Sequence, residues 1–343
     1  MHTLLIAENL GRNVMNELFE IRAKYSETRI DALQAAIEKR AAPIKLEGLT
    51  IFTVGSYGRL EASEHSDIDL FFVYGPKDDP DGAEKPHRNT NEIRLFGRLI
   101  DIVEEQGFPP LSNDAQFLES HKTSDVLMHL GSRYDDSKNY FTTRMLLLLE
   151  SRCLYGEGSY DQVVEEILNS YYRDYPGHEE NFRPWFLLND IMRFWKTLLL
   201  NYENKRHLVS DDEKTKQRVK NFKLKFSRVT TCFATIAAVG ANSARVDLNE
   251  MKSIVRITPR ERLLRVADQI PALGATVTHL LEEYSWFLTQ TALTTEDLQA
   301  IFENEEGRRR HFDRAERYVD SLYKMILEID AAQDQNFLRS LVL

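Results

Sequence analysis

A glycine-bearing turn set between two runs of strand-forming residues governs what the N-terminal part of this chain can fold into. The turn reads Val54-Gly55-Ser56-Tyr57-Gly58-Arg59-Leu60-Glu61, and after a short polar stretch comes Ser66-Asp67-Ile68-Asp69-Leu70-Phe71-Phe72-Val73-Tyr74. Residues 49–54 and 68–74 are β-branched and aromatic runs bounded by glycine and polar clusters, which predicts two buried strands with the turn anchored between them. Asp67 and Asp69 stand two apart at the mouth of the second strand, so their side chains leave one face with α-carbons roughly 6.5–7 Å apart. At an effective dielectric of about 20 two such carboxylates repel by roughly 2–3 kcal/mol. A cation between them removes that cost, and oxygen ligands of this kind suit Mg²⁺ or Mn²⁺. Upstream, Gly55 and Gly58 let the backbone approach an anion, and Ser56 adds a hydroxyl and an N–H donor for phosphate oxygens.

These residues resemble the nucleotidyltransferase superfamily related to DNA polymerase β, whose signature is a hydrophobic residue, Gly, then Gly or Ser, a spacer, and Asp-x-Asp. Here it reads Val54-Gly55-Ser56, ten residues, then Asp67-Ile68-Asp69. The fuller string is most similar to the branch that contains protein-PII uridylyltransferase and glutamine-synthetase adenylyltransferase. Leu149-Glu150-Ser151-Arg152-Cys153-Leu154-Tyr155-Gly156 resembles a segment downstream of the catalytic core in that branch. The resemblance covers residues 49–75 and, more weakly, extends to 156. It implies an α+β fold, with a small mixed sheet and helices in an N-terminal nucleotidyltransferase domain, followed by an all-α helical domain. It also implies metal-dependent transfer of a nucleoside monophosphate from an NTP such as ATP to an acceptor hydroxyl, with release of pyrophosphate. Asp67 and Asp69 would hold one or two divalent ions, while Gly55, Ser56, Tyr57, Gly58 and Arg59 would meet the nucleotide. Arg59 and Glu61 can equally pair across the turn as structural residues. The superfamily adds a third carboxylate, for which Asp101 and Asp114 are the candidates. Asp101 lies in a helical pattern over 93–105 that favours a solvated face, so Asp114 is preferred as metal ligand and proton acceptor.

The chain has 343 residues, 54 acidic against 44 basic, and a sequence pI near 5.5. Its length favours two domains. No apolar run approaches the roughly 20 residues that span a bilayer, and the start carries Glu8 without a basic cluster, so the expectation is a cytoplasmic protein. Cys153 and Cys232 each fall in a helical-looking apolar stretch and read as buried thiols. Residues 3–40 read as two helices ahead of the first strand. From Tyr140 the pattern is helical almost to the end, beginning with 140–155, and Ser132 to Asn139 breaks the periodicity. The resulting division is a catalytic domain at 1–138 and a helical domain at 139–343. Gly75 to Arg88, rich in Pro, Asp, Gly and Lys, reads as a surface hairpin beside the metal strand.

One stretch of the helical part departs from the acidic background: between Asn204 and Arg228 nine basic residues face three acidic ones. Lys216, Lys220 and Lys223 fall near one helix face, and Val219, Phe222 and Phe226 on the other. The basic face is either solvated or a contact for a triphosphate, as helical domains of related enzymes supply. Asn189, Arg193 and Lys196 form a second stripe. It contacts the nucleotide, or Arg193 pairs with Asp190 or Glu203. The nearby aromatics Phe182, Trp185, Phe186, Phe194 and Trp195 read as core.

The acceptor stays open among a protein, a tRNA end, a small molecule and a second nucleotide, with the branch favouring a protein. The acidic pI argues against long non-specific nucleic-acid contacts. Two readings compete with the general enzyme: a non-catalytic nucleotide-binding regulatory module, and a tRNA-modifying toxin of a toxin-antitoxin pair.

Overall fold

The computed structural model describes residues 2–41, 43–44, 48–75, 89–111, 118–180, 182–206, 211–243, 245–333 and 337–342. Asp114 and most of the 75–88 connector lie outside the described residues. The chain divides into two compact units, one formed by Ile21–Arg173 and the other by Met1–Glu20 with Asp174–Leu343. Together they give an α+β unit built on a small mixed sheet and a unit made of helices.

The sheet unit takes its elements from α1 (His2–Ala41), β1 (Leu49–Val54), the single turn α2 (Gly55–Gly58), β2 (Asp69–Tyr74), α3 (Asn89–Glu105), β3 (Ser120–Lys122), α4 (Thr123–Met128), α5 (Arg133–Ser137), α6 (Tyr140–Glu150), β4 (Arg152–Tyr155) and α7 (Glu157–Ser170). The strand order is β3-β2-β1-β4. β1 runs antiparallel to both β2 and β4, and β3 joins β2 in parallel. All six residues of β1 are buried, as expected of a central strand covered on both faces. The core combines Ile51, Leu70 and Phe72 from the sheet with Leu33 and Ile37 from α1 and Leu95 and Leu99 from α3.

Three expectations change here. Residues 2–41 form one helix and not two. Ser26 and Thr28 look like a break, yet their hydroxyls donate to the carbonyls of Arg22 and Lys24 one turn back, so the polar residues are absorbed by the helix. Residues 140–155 are a helix followed by the strand β4. Cys153 therefore sits half-buried in a strand, while Cys232 is buried in a helix; burial pushes the two thiols up to about 11 and about 12, so both stay protonated and inert at neutral pH. Finally, the polar stretch 132–139 is a cap and a turn inside the sheet unit. Ser132 caps α5, and Asp135 forms a fully buried bidentate pair with Arg144 of α6, both contacts 2.9 Å. Arg144 also donates to the Tyr171 hydroxyl and the Val126 carbonyl. These bonds tie residues 133–171 to the sheet unit.

The helical unit contains α8 (Trp185–Arg206), α9 (Asp211–Lys223), a π-helical turn at Leu224–Arg228, α10 (Val229–Gly240), α11 (Leu248–Arg256), α12 (Pro259–Gln269), α13 (Gly274–Gln290), α14 (Thr295–Glu303), α15 (Glu305–Ala332) and α16 (Phe337–Val342). Its centre is aromatic. Phe222 and Phe226 are fully buried among Trp286, Phe287, Phe302 and Tyr318, with Phe226 stacked on Phe287 at 4.9 Å and on Tyr318 at 4.6 Å. Phe194 and Trp195 are core as expected, whereas Phe186 is exposed. Among the described residues no helix is long and apolar enough to cross a membrane.

Candidate active site

β1 and β2 pair from Leu49 with Tyr74 up to Val54 with Asp69, so the ladder ends where the glycine turn begins. Ile68 and Leu70 are buried, while Asp67 is exposed and Asp69 half-buried. This alternation turns both carboxylates away from the core, as the spacing requires. Gly55 has a φ of +71°, and a β-carbon added to it would lie 3.1 Å from Asp69 Oδ2. The left-handed backbone favours glycine here, and any side chain would also crowd the Asp69 carboxylate. The turn thus brings Asp69 against the start of α2, where the amides of Ser56, Tyr57 and Gly58 have no partner within their own helical turn.

The remaining motif residues support that turn. Tyr57 is buried, meets Phe108 edge to face at 5.5 Å, and its phenol is pushed up by burial, so it belongs to the core. Gly58 is required by packing: a β-carbon would fall 1.8 Å from the Glu150 carbonyl oxygen at the end of α6. Arg59 is buried and donates to Glu61 Oε2 and Glu150 Oε2, each at 2.7 Å. The pairing alternative for Arg59 and Glu61 is therefore realised, with a second carboxylate added. Of the five loop residues proposed to meet a nucleotide, Ser56 alone keeps a partly open side chain.

Glu150 was not assigned a role by the sequence. Its side chain is wholly buried; Oε2 holds Arg59, and Oε1 accepts the Gly55 N–H at 3.2 Å. The register of β4 explains how it arrives. Thr53 pairs with Arg152, so the chain entering β4 carries Glu150 back alongside Gly55. A carboxylate closing the apolar run Met145 to Leu149 was the available signal, since such a group needs a buried partner. On the other side of the turn, Ser26 Oγ accepts the Ala62 N–H at 3.0 Å and Arg22 donates to the Ala62 carbonyl at 3.1 Å. Both ends of the segment that leads to Asp67 are thereby fixed to helices.

The other candidates sit elsewhere. Asp101 is exposed on α3, the solvated position expected of it. In the helical unit Arg193 pairs with Asp190 at 3.4 Å, and Lys196, Lys220 and Lys223 are exposed. Lys216 pairs with Glu213 at 2.9 Å. Among the described residues no three His, Cys, Asp or Glu side chains gather as a metal cluster; Asp67 and Asp69 are a pair. Two hard carboxylate donors of this kind suit a divalent cation.

The glycine turn, the paired strands and the two outward carboxylates coincide with one recognisable unit of sequence. Residues 37–123 match the family of the nucleotidyltransferase domain. The matched segment takes in the end of α1, β1, α2, β2, α3 and β3, and stops before α6, which supplies Glu150, and β4. A search of curated proteins finds no match to the chain. A match to that family over this segment suggests a transferase that takes an NTP.

Proposed function

We propose that the chain transfers a nucleoside monophosphate from an NTP, such as ATP, to an acceptor hydroxyl. The acceptor oxygen bonds to the α-phosphorus, the bond between that phosphorus and the α–β bridging oxygen breaks, and pyrophosphate leaves with that oxygen. The observation that carries this reading is the placement of Asp69 at the end of the β1–β2 ladder, its carboxylate against Gly55. Asp67 and Asp69 would hold a divalent ion, Mg²⁺ or Mn²⁺, which when bound neutralises phosphate charge and lowers the acceptor hydroxyl's pKa. Ser56 and the amides of the turn bind and orient the phosphates. Asp114, outside the described residues, is the proposed third carboxylate and takes the acceptor proton. Arg59, Glu61 and Glu150 hold the turn in register and touch no substrate. Similarity to the uridylyl- and adenylyltransferase branch favours a protein acceptor in the cytoplasm.

Incubation of each α-labelled NTP with Mg²⁺ or Mn²⁺ and host lysate tests the reading directly. Label should move onto protein with wild type and not with the Asp67→Asn, Asp69→Asn double variant. Label moving onto RNA or a nucleotide would keep the transfer and change the acceptor. NTP binding with no label moving under any condition would replace the transferase with a nucleotide-binding module.

A further inference from the structure

The helical unit carries a cavity of about 510 Å³ that the transfer reading does not use. It is formed by α8, α9 with its π-helical extension, and α15. Lys214, Gln217, Arg218, Asn221 and Lys225 line it along one stripe of a continuous helical run. This is a different stripe from Lys216, Lys220 and Lys223, the one singled out from sequence spacing. Arg308, Phe312 and Glu316 of α15 form the facing wall, and Tyr202 of α8 closes it.

Among the described residues, four cationic side chains thus surround one space with a single carboxylate among them. Glu316 takes up Lys225 at 3.4 Å, an exposed pair of small net worth. Arg218 and Arg308, from different helices and both half-buried, make no side-chain hydrogen bond or ion pair to the described residues. Guanidinium groups in that condition are suited to bidentate capture of phosphate. The cavity also has apolar faces. Phe312 presents a ring that Lys225 Nζ approaches to 6.0 Å, and Tyr202 adds a second. An aromatic ring offers a stacking surface to any nucleobase.

Two observations separate this from an ordinary basic surface. Gln217 is 7% exposed, lines the cavity, and its amide has no hydrogen-bond partner among the described residues. The side chain is held in place by its burial while its amide opens into the cavity, and a base edge offers that amide both a donor and an acceptor. The helix also widens into a π turn at Leu224–Arg228, where Lys225 enters the lining. Such turns are rare and recur at functional sites. The volume lies within the range of small-molecule sites, roughly 300–1,000 Å³.

We propose that this cavity binds a nucleoside phosphate of mononucleotide size, its phosphates on Arg218 and Arg308 and its base between Phe312, Tyr202 and the Gln217 amide. The site is built by the helical unit alone and does not depend on the transfer reading. The test is equilibrium binding of ADP, GDP, CDP and UDP to the full chain carrying Asp67→Asn and Asp69→Asn, in EDTA, which silences the carboxylate site. At least one diphosphate should bind, and Arg218→Gln and Arg308→Gln should each weaken it tenfold or more. Phe312→Leu should weaken it several-fold, and pyrophosphate and adenosine should each bind at least tenfold more weakly than the diphosphate. If Arg218→Gln fails to fold, Arg308→Gln on the opposite wall decides. No binding of any diphosphate at millimolar concentration, binding indifferent to Arg308→Gln, equal binding of pyrophosphate alone, or binding of a single-stranded RNA oligomer only would each overturn the proposal.

Discussion

Two pairs of arginines, one in each unit, do opposite work. In the sheet unit Arg59 and Arg144 are buried and each is gripped by carboxylates, Arg59 by Glu61 and Glu150, Arg144 by Asp135. In the helical unit Arg218 and Arg308 are half-buried, face one cavity, and have no acceptor among the described residues. A guanidinium whose donors are already satisfied is scaffold, however close it lies to a functional motif. One whose donors point into an open, positively charged space is available to a ligand. Within the glycine motif the same sorting sets Arg59 aside as scaffold, and the proposed working side chains are Asp67, Asp69 and Ser56.

The contrast is broken most severely at Arg144. Arg144→Ala leaves Asp135 charged, buried and uncompensated, which should cost about 3–5 kcal/mol; thermal unfolding of the sheet unit would measure it. Next in size is Asp69→Asn, expected to lower pyrophosphate release by roughly 10²–10³-fold, the usual cost of one preorganised electrostatic group, without loss of melting temperature. Glu150→Gln sharpens the comparison because it should do both. Weakening the bonds to Gly55 and Arg59 should cost about 1–3 kcal/mol and, by loosening the turn, lower kcat by roughly tenfold to a hundredfold.

Two smaller effects separate decoration from function in the helical unit. Lys220→Ala with Lys223→Ala removes two exposed cations that do not line the cavity, so stability should stay within about 0.5 kcal/mol and diphosphate binding should be unchanged. His311 is buried, Nδ1 donates to the Gly307 carbonyl at 2.7 Å, and burial lowers its pKa, with Arg310 and Arg314 acting in the same direction. Its unfolded form therefore binds protons more readily, and the helical unit should lose stability as pH falls below the ordinary histidine value of about 6.5. Melting curves between pH 7.5 and pH 5 should flatten in His311→Gln.

β1, β2 and the carboxylate pair were legible in the sequence because the two strands are β-branched and aromatic runs bounded by glycine and polar clusters. β4 was not, since four residues directly after a helix are too few to display a period. The stretch 132–139 reads as a domain boundary because a helix cap breaks apolar periodicity just as a boundary does; what distinguishes them is the Asp135–Arg144 pair, nine residues apart and visible only in space. Glu150 belongs to the same class, since its partners Gly55 and Arg59 lie 95 and 91 positions away. In the basic helix, regular spacing selected Lys216, Lys220 and Lys223, while the cavity wall runs through Lys214, Arg218 and Asn221 and reaches Lys225 in the π turn.

The central claim is that Asp67 and Asp69 perform the chemistry while the Arg59–Glu61–Glu150 cluster holds the turn. The most direct measurement is metal-dependent pyrophosphate release and melting temperature, taken side by side on wild type, Asp69→Asn and Glu150→Gln. Release should fall by roughly 10²–10³-fold in Asp69→Asn with the melting temperature kept, and both should fall together in Glu150→Gln. Wild-type release from Asp69→Asn would contradict the claim.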